Sequence, residues 1–404
     1  MKKNLILIGC VVCAAFMSSC VEKSSLMERA EALQRSILTA DTHSDTPMLF
    51  ERKSFDVTKR SDGCVDFVKM KEGSLDVSSF AVFTYQRDEE GYVDRMYEHA
   101  KKTYDTIQFI AKANADIVGM VSSPKDMYEL KKQGKLGIMP TMENSLPIGN
   151  DINRIDTLYA KGARIFGLCH TTNNNICDSS SDTIQYNYWG GLSPFGEQVV
   201  ERLNKLGAVV DVSHASDSTF FDIIKLSKAP IVASHSSVRE LTNHDRNFSD
   251  EMLDAIKENG GTVQVCMVDI FIKEFPENPK YKAERDSAYA VYSKIPKEDE
   301  AARAEARAGR AKIKSSYPDQ NASIKDYVDH IDYIAKRIGV DHVGIGTDFD
   351  GGGGVMDCMD VSQLVTITAE LMERGYSDED IEKIWSGNLI RVFNKVIEVS
   401  ESMK

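Results

Sequence analysis

Ala208-Val-Val-Asp-Val-Ser-His214 is a short, β-branched run that ends on an imidazole, and the same design recurs along the chain. Arg164-Ile-Phe-Gly-Leu-Cys169 leads into His170, and Ile231-Val-Ala-Ser234 into His235. Leu136-Gly-Ile-Met-Pro-Thr-Met142 leads into Glu143, and Val343-Gly-Ile-Gly-Thr347 into Asp348. Short apolar runs bounded by turn-forming residues read as buried strands. The pattern predicts strands over Ile37–Ala40, Leu75–Phe83, Leu136–Thr141, Ala163–Leu168, Ala208–Val212, Pro230–Ser234, Thr262–Val268 and His342–Thr347. Between them, Met96, Ala100, Tyr104, Ile107 and Ile110 recur at helical spacing, as do Val199, Leu203 and Leu206. Strands that alternate with helices give a parallel α/β sheet, and eight of them predict a closed (β/α)8 TIM-like barrel. An open doubly wound sheet would bring a nucleotide-binding glycine loop after its first strand, whereas Asp41–Pro47 contains no glycine.

The 404 residues, 42% apolar and 27% charged, are enough for one such domain and exclude a disordered chain. The formal charge of -13, with no local basic patch, excludes nucleic acid as a partner. Lys2 and Lys3 precede an apolar stretch from Leu5 to Phe16, then Met17-Ser-Ser-Cys20. That is too short for a membrane span and matches an export signal. Its terminal cysteine resembles a bacterial lipoprotein cleavage site, so residues 1–19 are read as a signal peptide and Cys20 as the lipidated N-terminus. Residues 20–35 then form a tether, and the protein belongs in the bacterial cell envelope, anchored to a lipid bilayer through Cys20. Five cysteines remain downstream, an odd number at wide spacing that specifies no disulfide framework.

Residues 36–399 form the barrel domain and 400–404 a tail. The segment 274–324, rich in Ala, Lys, Arg and Glu, is read as a charged helical insertion after strand seven, with a helix over Glu298–Lys312. Val361–Val399 reads as two closing helices, Gly375 ending the first and Ser377 capping the second.

The strand ends carry the chemistry. His43 and Asp45 follow the first strand, and positions i and i+2 of an extended chain point the same way. In a barrel these residues converge with Glu143, His170, His214, His235 and Asp348 at the C-terminal mouth. Imidazoles and carboxylates together suit Zn2+ or a related divalent ion, and the set exceeds what one tetrahedral ion needs. Two cations sharing a carboxylate use it better and leave room for a bridging hydroxide. His99, His330 and His342 lie on helices or at a strand entrance and read as structural.

The motifs Asp41-Thr-His-Ser-Asp45, Gly191-Leu-Ser-Pro-Phe-Gly196, Asp211-Val-Ser-His214, Ser234-His-Ser-Ser237, Arg246-Asn247, Gly344-Ile-Gly-Thr-Asp-Phe-Asp-Gly351 and Asn388-Leu-Ile-Arg-Val-Phe393 resemble the membrane (renal) dipeptidase family of the amidohydrolase superfamily. The resemblance runs from about Leu38 to Val396. It implies two zinc ions, one held by His43, Asp45 and Asp348 and the other by His214 and His235, with Glu143 bridging. It implies that His170 contacts the scissile carbonyl oxygen, that Arg246 grips the substrate's C-terminal carboxylate, and that Asp348 moves the proton. The implied activity is hydrolysis of dipeptides, including L,D-dipeptides, by a protein that forms homodimers.

Two departures stand out: Glu143-Asn-Ser-Leu-Pro147 replaces a glycine-rich turn, and Cys266-Met-Val-Asp269 replaces a family Asn-Phe-Tyr. A binuclear amidohydrolase acting on a cyclic amide, β-lactam or lactone stays open as an alternative, as does a lipid-anchored binding protein with a vestigial barrel.

Overall fold

The computed structural model describes residues 25–183, 187–296 and 298–404. The signal segment and Cys20 lie outside the described residues. Nine parallel strands form one sheet: β1 (Ala40–Ser44), β2 (Val77–Phe83), β3 (Val118–Met120), β4 (Leu136–Glu143), β5 (Ile165–Gly167), β6 (Val209–Asp211), β7 (Val232–Ser236), β8 (Thr262–Cys266) and β9 (Val343–Gly346). Eight run in the order β1-β2-β4-β5-β6-β7-β8-β9, while β3 pairs only with β4 on the outside of that path. The sheet returns on itself, since Asp45 N donates to Phe349 O at 2.8 Å and Asp348 N to His43 O at 3.1 Å. The expected barrel is therefore present, with β3 as an addition too short to show periodicity. β1, β4, β7 and β8 are buried along their whole length, as strands covered on both faces must be.

Several strand limits differ from expectation by a few residues, β4 running on to Glu143 among them, and two of the shifts bear on the site. The first strand starts at Ala40, not Ile37, and the strand of His235 runs on to Ser236, so His43 and His235 lie inside their strands. Polar runs such as Asp-Thr-His-Ser resemble loop in a sequence, but here they are buried and hydrogen-bonded within the barrel mouth. Asp41, for example, accepts from Thr347 N at 2.9 Å and Thr347 Oγ1 at 2.6 Å, tying β1 to the end of β9.

Residues 25–36, all but the last of which fall in the expected tether, are helical. Gln34 is fully buried, donating to Gly73 O at 2.6 Å and accepting from Thr368 Oγ1 at 2.6 Å. The closing helices follow the expected plan. Val365–Glu373 ends before Gly375, whose φ is +86°, and Ser377 caps Asp378–Glu382 in a capping box with Asp380. A π turn over Lys383–Gly387 leads to Asn388–Ser402. There Asn388 Nδ2 donates to Val340 O at 2.7 Å and Val343 O at 2.8 Å, so this motif residue pins the entrance of β9.

The insertion follows β8, the seventh strand of the barrel. Its helices Pro279–Lys294 and Glu300–Ser315 bury no residue, in keeping with their charge. No helix among the described residues is long and apolar enough to cross a membrane.

Candidate metal centre

Three of the expected residues reach the mouth through a left-handed or terminal backbone position rather than a plain strand. Glu143 is the last residue of β4, and the chain turns at Asn144 with φ +64°. His214 and Asp348 adopt φ +69° and +61°. His, Asn and Asp are the side chains that tolerate this region best, and holding them there costs on the order of 1 kcal/mol each. The turn directs each side chain back over the barrel mouth. Asn144 stands where the family's glycine turn would be, and its side chain is fixed by Thr84 O at 2.9 Å and Asn174 Nδ2 at 3.1 Å.

Ligand atoms converge in three groups, each within 4.8 Å: His43, Asp45 and Asp348; His43, Glu143 and His235; Glu143, His170 and His214. Glu143 joins them. Its Oε2 is 3.6 Å from His43 Nε2, and its Oε1 lies 3.2 Å from His214 Nε2, 3.6 Å from His235 Nε2 and 3.7 Å from His170 Nε2. His43 Nε2 is also 3.9 Å from Asp45 Oδ2 and 4.0 Å from Asp348 Oδ1. Every expected ligand is thus in one cluster. His170 is set apart by exposure: its side chain is 27% exposed, against 7% for His214 and 2% for His235.

Buried His43 Nε2, Asp45 Oδ1 and His214 Nδ1 have no hydrogen-bond partner. Buried polar atoms are rarely left so; of the three, His43 Nε2 stands among the carboxylates of Asp45, Glu143 and Asp348, and an orphaned nitrogen there fits a cation. His235 shows how the lone pairs are directed. Ser234 Oγ gives its one proton to Asp211 Oδ2 at 2.5 Å, so it accepts from His235 Nδ1 at 2.8 Å, leaving Nε2 unprotonated toward the cluster. His235 Nε2 faces His214 Nε2 at 2.9 Å. Sequence reading missed Asp211 and Ser234 as supports, although both stand in the motifs.

Electrostatics agree with this fit. Burial, with Arg246 and neighbouring imidazoles, holds His214 and His235 well below the usual histidine range, so both are neutral as ligands must be. Burial would raise Glu143, yet His43, His214 and His170 outweigh it and hold its carboxyl well below the usual range. Burial and Glu143 raise Asp45 well above the carboxylate range, and burial takes Asp348 to about 6. Against its own burial, His43 is raised to about 10 by Glu143, Asp45 and Asp348. A bound cation supplies the positive charge these carboxylates seek. Gly351 has a steric reason: a Cβ there would lie 1.9 Å from Asp45 Oδ2 and 2.3 Å from Asp348 Oδ1.

Arg246 is buried beside the cluster. Its Nη2 donates to His235 O at 3.1 Å and its guanidinium carbon lies 5.6 Å from the Phe271 ring centre. Among the described residues it forms no ion pair, although Arg and Lys are almost never buried unpaired. The departure at Cys266 has a visible consequence, since the Cys266 thiol donates to Asp348 Oδ2 at 3.8 Å. His330 and His342 are structural, as expected: they bond backbone groups of Val238, Ile272 and Gly261. All five described cysteines are free.

A parallel barrel with this cluster at its C-terminal mouth defines a binuclear metal-dependent hydrolase. Residues 27–404 match the membrane dipeptidase family (peptidase family M19), and the chain belongs to that family. It is 34% identical to the probable dipeptidase PvdM from Pseudomonas aeruginosa, with a TM-score of 0.81 over 93% of this chain and 99% of that one. It is 31% identical to dipeptidase verJ of Clonostachys rogersoniana over 77% of this chain and 69% of the relative. A metallopeptidase from Rhodobacter sphaeroides, bound to a phosphinate mimic of the dipeptide L-Ala-D-Ala, shares the fold at 20% identity, with a TM-score of 0.72 over 89% of this chain and 99% of that one. The protein is a metal-dependent dipeptidase with a two-cation centre.

Proposed function

We propose that the enzyme hydrolyses dipeptides that carry a free C-terminal carboxylate, L,D-dipeptides included, with zinc as the cation. The observation that carries this reading is the buried, unpaired guanidinium of Arg246 beside the metal cluster. A guanidinium matches a carboxylate in a two-pronged hydrogen-bonded pair, and one without an acid of its own leaves that geometry to a ligand. The inclusion of L,D-dipeptides is supported by the family resemblance and by the dipeptide mimic held by the R. sphaeroides enzyme.

His43, Asp45 and Asp348 would hold one cation and His214 and His235 the other, with Glu143 shared. Such cations, when bound, acidify water toward neutral pH and polarise an amide carbonyl. Asp348 accepts the proton released as the water attacks and passes it to the leaving amine. His170, neutral because burial lowers its pKa, donates to the oxygen on which negative charge develops. Its greater exposure supports a role toward substrate rather than as a ligand. Arg246 fixes the carboxylate end, so the scissile bond stays over Glu143.

Metal content, with turnover of L,L- and L,D-dipeptides, their C-terminal amides and β-lactams, tests the reading. Two cations per chain and rapid cleavage of free dipeptides are expected. Preference for the amides or for a β-lactam alone refutes it. The membrane anchor through Cys20 is part of the proposal, supported by the sequence of residues 1–20. Intact mass of detergent-extracted protein should show an acylated Cys20 at the mature N-terminus. The homodimer implied by the resemblance is checked by light scattering.

A further inference from the structure

The two sides of the barrel mouth are unequal. Arg246 and Phe271 occupy the side of β7 and β8. Across the cluster, Phe83 pairs in register with Glu143, level with the shared carboxylate. The Phe83 ring centre is 4.7 Å from that of His170 and 4.7 Å from that of Tyr85, and Tyr85 is 51% exposed. A dipeptide with its carboxylate at Arg246 and its scissile carbonyl over Glu143 therefore extends its N-terminal residue toward Phe83 and Tyr85.

The insertion is fastened to the rim at two places. Glu300 accepts from Lys53 N at 2.6 Å and Ser54 N at 3.0 Å, and Arg307 pairs with Asp62 at 2.7 Å, all in the segment after β1. Lys314 pairs with Asp269 at 2.5 Å and Ala322 N donates to Asp269 Oδ1 at 3.1 Å, in the segment after β8. The second helix is thus fastened to the loops on either side of Asp348. The two helices bury nothing of their own, so core packing does not account for them. Tyr292 of the first helix lies under Arg303, 4.3 Å from ring centre to guanidinium carbon. Burial, with Asp45, Glu51, Tyr92 and Tyr292 nearby, raises the Tyr85 phenol above its usual range.

We propose that the helical hairpin and Tyr85 wall the N-terminal side of the site, selecting a large aromatic N-terminal residue and excluding peptides extended beyond it. The inference rests on the dipeptidase reading above.

The test uses the full-length, metal-loaded enzyme with Phe-D-Ala, Gly-D-Ala and the tripeptide Gly-Phe-D-Ala. Wild type should favour Phe-D-Ala over Gly-D-Ala in kcat/KM by about tenfold and leave the tripeptide intact. Tyr85→Ala should reduce that ratio roughly three- to tenfold, the range of one aromatic contact. Replacing residues 279–315 by a short Gly-Ser linker should admit the tripeptide, with two cations per chain as proof of folding. Should that variant not fold, Tyr292→Ala paired with Glu300→Gln serves instead and should lower the same ratio. An unchanged ratio in Tyr85→Ala, or continued exclusion of the tripeptide by the folded linker variant, overturns the proposal. A wild type that cleaves neither dipeptide refutes the dipeptidase reading itself.

Discussion

Replacing Arg246 by methionine separates carboxylate recognition from every other role of that side chain. Methionine keeps an unbranched apolar stem and deletes the charge, together with the guanidinium's approach to the Phe271 ring and the Nη2 bond to His235 O. If the guanidinium grips a free C-terminus, the variant forfeits a buried, charge-assisted pair, worth about 2–4 kcal/mol, or roughly thirty- to a thousand-fold in kcat/KM. A C-terminally amidated dipeptide never made that pair and should lose less than about threefold. A second readout follows from burial. Arg246 has no acid partner among the described residues, so the folded chain without substrate carries the desolvation cost of that charge. Arg246→Met should therefore match or exceed wild type in Tm, despite the lost backbone bond. Steady-state kinetics on free and amidated substrate pairs, with thermal melts of the metal-loaded proteins, make the comparison. Equal losses on both substrates, or a Tm several degrees below wild type, would show that Arg246 holds the site together rather than the ligand.

Asp348→Asn should keep both cations and lose about 10²–10⁴ in kcat, the usual share of a positioned proton acceptor; near-normal turnover with metal present removes it from that role. Glu143→Gln should bring metal content below two per chain, because Glu143 links two of the three ligand groups, whereas His170→Asn should retain two and lose turnover. Emission spectrometry of the two variants decides between ligand and substrate contact, and loss of a cation from His170→Asn makes His170 a ligand. His330 sets an acid limit on stability. Its Nδ1 accepts from Val238 N at 3.0 Å, and burial lowers its pKa to about 4 from 6.5. The unfolded chain takes up this proton first as pH falls, so stability is lost between about 6.5 and 4, by about 1.4 kcal/mol per pH unit and about 3 kcal/mol in all. Urea unfolding across that window should show the slope in wild type and a shallower one in His330→Asn.

The barrel was legible because its strands are buried on both faces and announce themselves as apolar runs. Glu143, His170, His214 and Asp348 were legible for a related reason: each is the first polar group after such a run, where a barrel must open to solvent. The limits of β1 and β7 were less so, since buried polar residues such as Asp41, bonded to Thr347, and Ser234, bonded to Asp211, find partners across strands and look like loop when read along the chain. β3 is only three residues long, below the span at which alternation can register. Residues 20–35 read as tether because their apolar anchors are few, yet within them Gln34 finds partners on Gly73 and Thr368.

By itself the sequence determined which side chains are available, their order along the barrel and the class of ion they suit. Only the tertiary structure decided that Glu143 stands between both groups of ligands, that His170 keeps the more open position, that Arg246 is buried without an ion pair among the described residues, and that the insertion fastens to the loops after β1 and β8. Those are distances and burials among residues up to about 300 positions apart, fixed by closure of the sheet, and no local pattern encodes them.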